Sequence, residues 1–195
     1  METAMARETA SSGAWTTVSA AVGYEDESQG PCEVSPLIAE ETLLLRDASR
    51  LLHACFGRYR PGDTVEKRTQ RTLARLGTGS CPTVFVARGP EDEFLGTGSL
   101  LATDLPNEMR VGKEHMTPWL ASVAVPEAHR RHGVACTIVE AVCEAARAHH
   151  HQSLWLWCPE KLQHFYVKLD FVVFSVVAFR GNMFTIMKRS LVARV

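Results

Sequence analysis

Residues 119–135 read Trp119-Leu-Ala-Ser-Val-Ala-Val-Pro-Glu-Ala-His-Arg-Arg-His-Gly-Val-Ala135, and what they encode decides the fold. The run from Trp119 to Val125 is apolar and rich in β-branched residues, with the length of a buried strand. Pro126 has no N–H to give a ladder, so the strand stops there. Further on, Ala135, Ile138, Val139, Val142 and Ala146 recur at helical spacing, while Glu140, Glu144 and Arg147 fall on other faces. The stretch is therefore a strand, a glycine turn and a helix. The first turn of a helix has unpaired backbone N–H groups and a partial positive charge, which together suit a phosphate. Gly133, beside Arg130, Arg131 and His132, lets the backbone come close to an anion, and Ala135 keeps the next turn slim. A pyrophosphate is the expected ligand of this turn.

The spacing excludes two familiar phosphate binders. No Lys follows Gly133, so this is not a P-loop. There is no Gly-x-Gly-x-x-Gly, so a dinucleotide-binding crossover has no support. Bulk properties narrow the classes further. A chain of 195 residues with 46% hydrophobic and 22% charged residues has the composition of one globular domain. Its formal net charge of -1 supplies no field for nucleic acid or an anionic membrane. No apolar run is long enough for a span, and the N-terminus does not read as a secretory signal. The six cysteines show neither Cys-x-x-Cys nor zinc spacing, so they are expected as reduced, small hydrophobes of a cytoplasmic protein.

Outward from the core stretch, residues 1–30 lack periodicity and are expected as a flexible tail, with one domain over 31–195. A short strand should begin near Cys32. A helix over Glu40 to Phe56 carries the stripe Leu44, Ala48, Leu51, Leu52 and Cys55, and a second covers about Thr64 to Leu76. Asp63 and Glu66 are placed as a capping pair for that second helix. Its Arg68, Arg71 and Arg75 share a face, read as solvated, although an acidic substrate could use it. Strands at Thr83–Ala87 and Phe94–Thr103 enclose a hairpin loop. Gly96 and Gly98 alternate on the second, marking a close approach across the sheet. Residues 105–118 form a long polar connection, expected to be mobile and to wall the acceptor side. His149, His150 and His151 point about 100° apart on a helix, so they do not converge on a metal, and no metal is expected. A strand at Ser153–Trp157, a short helix at Leu162–Leu169 and strands at Phe171–Phe179 and Met183–Met187 complete the order.

Arg130-x-x-Gly133-x-Ala135 after Val-x-Val-Pro resembles the acetyl-CoA-binding motif of the GNAT superfamily of N-acetyltransferases. Phe165-Tyr166-Val167-Lys168-Leu169-Asp170-Phe171 resembles that family's Phe-Tyr-x-x-Leu-Gly-Phe signature, with Asp170 in place of the Gly. The resemblance spans about residues 32–190. It implies an α+β fold of GNAT type, a mixed central sheet flanked by helices.

The same resemblance implies the chemistry. Acetyl-CoA is the expected co-substrate, lying between splayed parallel strands at 119–125 and 153–157. Its pantetheine arm would pair with backbone at Val123, Ala124 and Val125, and its pyrophosphate would meet the turn formed by Arg130, Arg131, His132, Gly133, Val134 and Ala135. A small-molecule or peptide amine would attack the thioester directly, and Tyr166 would protonate the departing thiolate. The core strand carries no acid, so the general base stays open among Asp104, Glu114, His115 and a water relay. A second reading is a non-catalytic acyl-CoA-binding or protein-interaction module of the same fold, consistent with that missing acid and with the lack of an Asn in Cys158–Lys161. Oligomeric state, including a homodimer, stays open.

Overall fold

The computed structural model describes residues 32–76 and 81–192. The expected tail over 1–30 and the expected helix stop at Gly77 lie outside the described residues. Seven strands form one mixed sheet in the order β1-β2-β3-β4-β5-β7-β6. They are β1 (Glu33–Pro36), β2 (Thr83–Arg88), β3 (Phe94–Leu101), β4 (Trp119–Ala124), β5 (Ser153–Pro159), β6 (Val172–Phe179) and β7 (Asn182–Ser190). Every pairing is antiparallel except β4 with β5. The helices are α1 (Thr42–Phe56), α2 (Val65–Leu73), the single turn α3 (Asn107–Arg110), α4 (Val134–Ala148) and α5 (Gln163–Val167).

Strand β2 shows why the sheet is a middle layer. Its side chains alternate, and both sets are buried: Val84 and Val86 pack with Leu44, Leu45 and Ala48 of α1, whereas Phe85 and Ala87 join the cluster under α4. A strand covered on both faces reads as a continuous apolar run, as 83–87 does. Helix α4 lays Ile138, Val139, Val142 and Ala146 on the sheet, all fully buried. The glycines of β3 allow that contact. A Cβ at Gly98 would lie 2.5 Å from Ile138 Cγ2, and one at Gly96 would lie 2.8 Å from the Ala124 carbonyl oxygen. The close approach expected across the sheet is thus made by α4. A third cluster joins Leu105 and Met116 to Trp119, Trp155 and Ile186.

Two expectations need correction. The cap of α2 is Thr64, whose hydroxyl accepts from the Lys67 N–H. Asp63 instead accepts from Arg68 and Arg71. The expected solvated basic face is therefore partly an ion-pair site, with Arg68 buried. The connection 105–118 is also less polar than its composition suggested. Leu105 and Met116 anchor its two ends in the core, and Arg110 Nε donates to the Leu105 carbonyl at 2.9 Å.

All six cysteines are free. Among the described residues there is no cluster able to hold a metal, and no helix is long and apolar enough to cross a membrane.

Candidate active site

Strands β4 and β5 touch at one register position, Trp119 opposite Trp155, and then diverge. Past that pair β5 continues against β7, with Trp157 opposite Ile186. The side of β4 that faces β5 is left without a ladder partner, and its backbone opens into a cleft of about 1090 Å³. Trp157 is therefore a half-buried wall of this cleft and not a member of a parallel pair.

A bulge sits in β4 where it lines the cleft. Thr97 lies opposite Ala124 and Ser99 opposite Ala121, so Ser122 and Val123 face Gly98 alone. Ser122 has φ of 58°. An extra residue in one strand bends it and re-aims its backbone groups. Val123, Ala124 and Val125 all line the cleft, as does Ser122.

At the far end of β4 the chain turns into α4. Pro126 leads a single 3-10 turn over Glu127–His129, and Arg130 Nε donates back to the Val125 carbonyl at 3.1 Å. Arg131 and Gly133 both have left-handed backbones, with φ of 70° and 81°. Gly133 is the N-cap of α4, without a side-chain cap. A Cβ there would meet nothing within 4 Å, so the space in front of this turn is open. Backbone of alternating hand points successive N–H groups into one concavity, and the helix dipole adds to its field. Val134 is buried under the turn, while Ala135 and Arg130 reach the cleft wall. His132 is half-buried beside them. The expected phosphate residues are thus contiguous at one end of the cleft, and a pyrophosphate fits them in charge and in donor supply.

Tyr166 lies on α5 and on the cleft wall. Its ring packs edge-on against Phe165 at 4.9 Å and Phe171 at 5.8 Å. It is 8% exposed and belongs to the main core cluster, so it is at once a packed aromatic and a cleft residue. Burial raises its phenol above the ordinary value, with Cys158 and Asp104 adding to the rise. The proton stays on the oxygen at neutral pH. Cys158, in the same wall, is pushed up to about 11 by burial.

Asp104 is one of the groups among which the sequence left the general base open. It sits just past β3, in the cleft, and Trp157 Nε1 donates to its Oδ2 at 2.8 Å. Burial raises its carboxyl to about 6; the Trp157 hydrogen bond and the charges of Arg75, Arg60 and Arg110 oppose the rise. Glu114 accepts from the Gly112 N–H outside the cleft, and His115 stacks edge-on against Trp155 at 6.4 Å. Neither lines the cleft. Arg60, Arg75 and Arg180 do, and sequence reasoning did not place them in the site. Only the shared helical face of Arg68, Arg71 and Arg75 hinted at one of them.

Comparison with known proteins agrees with this geometry. Residues 45–171, more than half of the chain, match the model of the acetyltransferase (GNAT) family. No curated protein matches the chain by sequence. Among solved structures, an aminoglycoside 6'-N-acetyltransferase complexed with coenzyme A superposes with a TM-score of 0.66 at 13% identity, covering 83% of this chain and 98% of the other. The aminoglycoside 6'-N-acetyltransferase of Enterococcus faecium gives 0.64 at 12% identity, over 83% and 98% of the two chains. A chimeric spermidine N-acetyltransferase of Vibrio cholerae gives 0.62 at 13%, over 82% and 95%. At such identities the likeness is one of fold.

Proposed function

The chain belongs to the acetyltransferase (GNAT) family, and from that premise we propose that it moves the acetyl group of acetyl-CoA to an amine by direct attack. The observation that carries this reading is the divergence of β4 and β5 after the Trp119–Trp155 pair, which leaves unladdered backbone facing a cleft whose end is the open Gly133 turn. Val123, Ala124 and Val125 supply strand-like backbone for an extended pantetheine arm. The N–H groups from Arg131 to Ala135 supply donors for the pyrophosphate, with Arg130 and His132 beside them. A solved relative of the same fold holds coenzyme A, which supports the choice of co-substrate.

When bound, acetyl-CoA supplies an activated thioester, and the protein has three tasks. The first is to polarise the carbonyl, a task open to backbone N–H groups at the β4 bulge. The second is to take a proton from the attacking amine. Asp104, near 6, is ionised at neutral pH yet basic enough to accept one. The third is to return a proton to the leaving thiolate, which Tyr166 can do from its neutral phenol. Its raised pKa does not disqualify it, because burial in the same cleft wall raises the Cys158 thiol too.

Asp104, from beyond β3, offers the cleft a carboxylate that β4 lacks, which speaks for catalysis over a non-catalytic module. Thiol release from acetyl-CoA, followed across an amine panel beside calorimetric binding, tests the proposal. Amine-dependent release is expected; binding without release on any amine returns the module.

A further inference from the structure

The acceptor half of the cleft has a charge that the transfer reaction does not explain. Leu101 of β3 lies opposite Trp119 and Thr97 opposite Ala124, so the segment after Leu101 leaves the sheet at the end of β4 remote from Gly133. Asp104 and Arg110 sit on that segment. Arg60 follows α1 and Arg75 follows α2, and both line the same cleft. The charges of Arg60, Arg75 and Arg110 all act on Asp104. These cations are therefore gathered around Asp104, away from the phosphate turn.

Arg60 and Arg110 are exposed and Arg75 is half-buried, whereas the arginines with the least exposure have carboxylates. Arg68 and Arg71 hold Asp63, Arg88 holds Glu41, and Arg189 holds Glu140. Although the backbone N–H of Arg75 donates to the Thr72 carbonyl, its side chain makes no ion pair or hydrogen bond with a described residue. Burial disfavours its charged form, and the charge of Asp104 only partly offsets this. The side chain of Arg60 also makes no ion pair or hydrogen bond with a described residue. Arg110 is tethered through Nε and Arg180 through one terminal nitrogen, to the Tyr59 carbonyl at 2.8 Å, which leaves further donors on both. Facing these cations, Glu108 is the other acid of the cleft lining beside Asp104. A chain of net charge -1 has thus concentrated positive charge at one site.

We propose that the acceptor is an amine bearing a carboxylate, with Arg75, Arg60 and Arg110 holding the acid group and Asp104 facing the amine. The guanidinium fork matches a carboxylate with two parallel hydrogen bonds, and a desolvated arginine gains most from such a partner. A polycation such as spermidine would meet like charges there, which costs affinity. Asp104 alone is outnumbered by the arginines, so it serves one ammonium group and not several. The inference rests on the acetyl-transfer reading and specifies its substrate class.

The test compares acceptors at low salt: free aspartate, the tripeptides Asp-Asp-Ala and Asn-Asn-Ala, both amidated at the C-terminus so that only the first bears carboxylates, and spermidine. At least one acid-bearing amine should exceed Asn-Asn-Ala and spermidine in kcat/KM by about tenfold or more. Which of the two acid forms leads tells a free amino acid from a peptide terminus. Arg75→Gln should bring the acid-to-amide ratio close to one, while acetyl-CoA affinity by calorimetry confirms the fold; Arg110→Gln serves if that variant does not fold. An acid-to-amide ratio near one in the wild type, or preference for spermidine, overturns the inference and leaves acetyl transfer standing. So does a ratio unchanged in the arginine variants. Acetyl-CoA binding with no transfer to any amine overturns the functional reading itself, and this inference falls with it.

Discussion

The indole N–H of Trp157 on β5 donates to Asp104 beyond β3, across 2.8 Å. Two strands that are not neighbours in the sheet are thereby joined over the mouth of the β4–β5 gap. The bond fixes one carboxylate oxygen, and leaves the other for whatever enters the cleft.

Asp104→Asn should separate activity from stability. The carboxyl titrates near 6 in the folded protein against 3.8 as a model value, so the folded state binds its proton more tightly. Stability contributed by the protonated form is full below about pH 4 and is lost as pH rises through 6, by up to about 3 kcal/mol. The Asn variant mimics the neutral form. It should melt no lower than wild type at pH 7 and lack the decline between pH 4 and 6, while kcat/KM falls at least a hundredfold. In the wild type, log kcat/KM should fall as pH drops below about 6. Retained activity in the Asn variant would release Asp104 from the role of base.

Gly133→Glu should abolish tight acetyl-CoA binding without unfolding the chain. Nothing lies within 4 Å of a Cβ at this position, so bulk is tolerated by the protein. The φ of 81° makes any side chain strained, at roughly 1–2 kcal/mol. The carboxylate would occupy the concavity proposed for phosphate. Calorimetry on a folded variant should report a loss of at least tenfold in affinity; an unchanged value would move the pyrophosphate elsewhere.

The packing of α4 on β3 can be probed through Gly98 and Ile138. Gly98→Ala places a Cβ 2.5 Å from a methyl that a β-branched helical side chain cannot swing away. Overpacking should cost about 1–3 kcal/mol. Ile138→Ala removes that methyl and costs about 2–5 kcal/mol alone. In the double variant the Gly98 substitution should cost much less, so the two effects are strongly non-additive. Additive losses in urea melts would show that Ile138 is not what the glycine makes room for.

Much of this fold was legible because its signals are local. The strand–turn–helix at 119–148 follows from apolar periodicity and one glycine, and both ends of α4 fall within a residue or two of their expected places. Gly96 and Gly98 announced a close contact, though not its partner, since which helix covers a strand is a tertiary matter. The cap of α2 was misassigned to Asp63 because an acid three residues before Glu66 satisfies the local pattern equally well; the arginines claimed it instead. The Gly133 turn, being one contiguous stretch, was visible. The gathering of Arg60, Arg75, Asp104 and Trp157 in one cleft was not, because they come from four separate segments and meet only when the chain folds. Connection 105–118 misled for a related reason: Leu105 and Met116 look isolated among polar residues until Trp119 and Trp155 are brought beside them.

Asp63→Asn should destabilise the chain at neutral pH. Burial alone would raise this carboxyl, but hydrogen bonds from Arg71 and Arg68 overcome it and hold it at about 2. A depressed carboxylate contributes stability that is full above about pH 4 and is lost as pH falls through 2. Removing the acid leaves Arg68 buried without its counter-ion, a loss of about 3 kcal/mol or more. Denaturant melts at pH 7 read the difference. A change below about 1 kcal/mol would reduce the Asp63 site to a surface pair.

Tyr166→Phe decides between the two natures of that residue. The ring contacts with Phe165 and Phe171 survive the change, so packing is preserved. The hydroxyl makes no hydrogen bond with a described residue, and its loss should alter stability by no more than about 1 kcal/mol. If the phenol protonates the leaving thiolate, turnover should fall by roughly a hundredfold or more. Acetyl-CoA affinity should hold, because the bound thioester needs no proton before the amine attacks. The deficit should also depend on the leaving group: an acetyl thioester whose thiol is more acidic needs less help, so the variant should recover on it relative to wild type. Recovery of that kind is not expected from a ring that merely packs. Turnover equal to wild type on acetyl-CoA, with a lowered melting temperature, would make Tyr166 a core residue and leave the thiolate to take its proton from water.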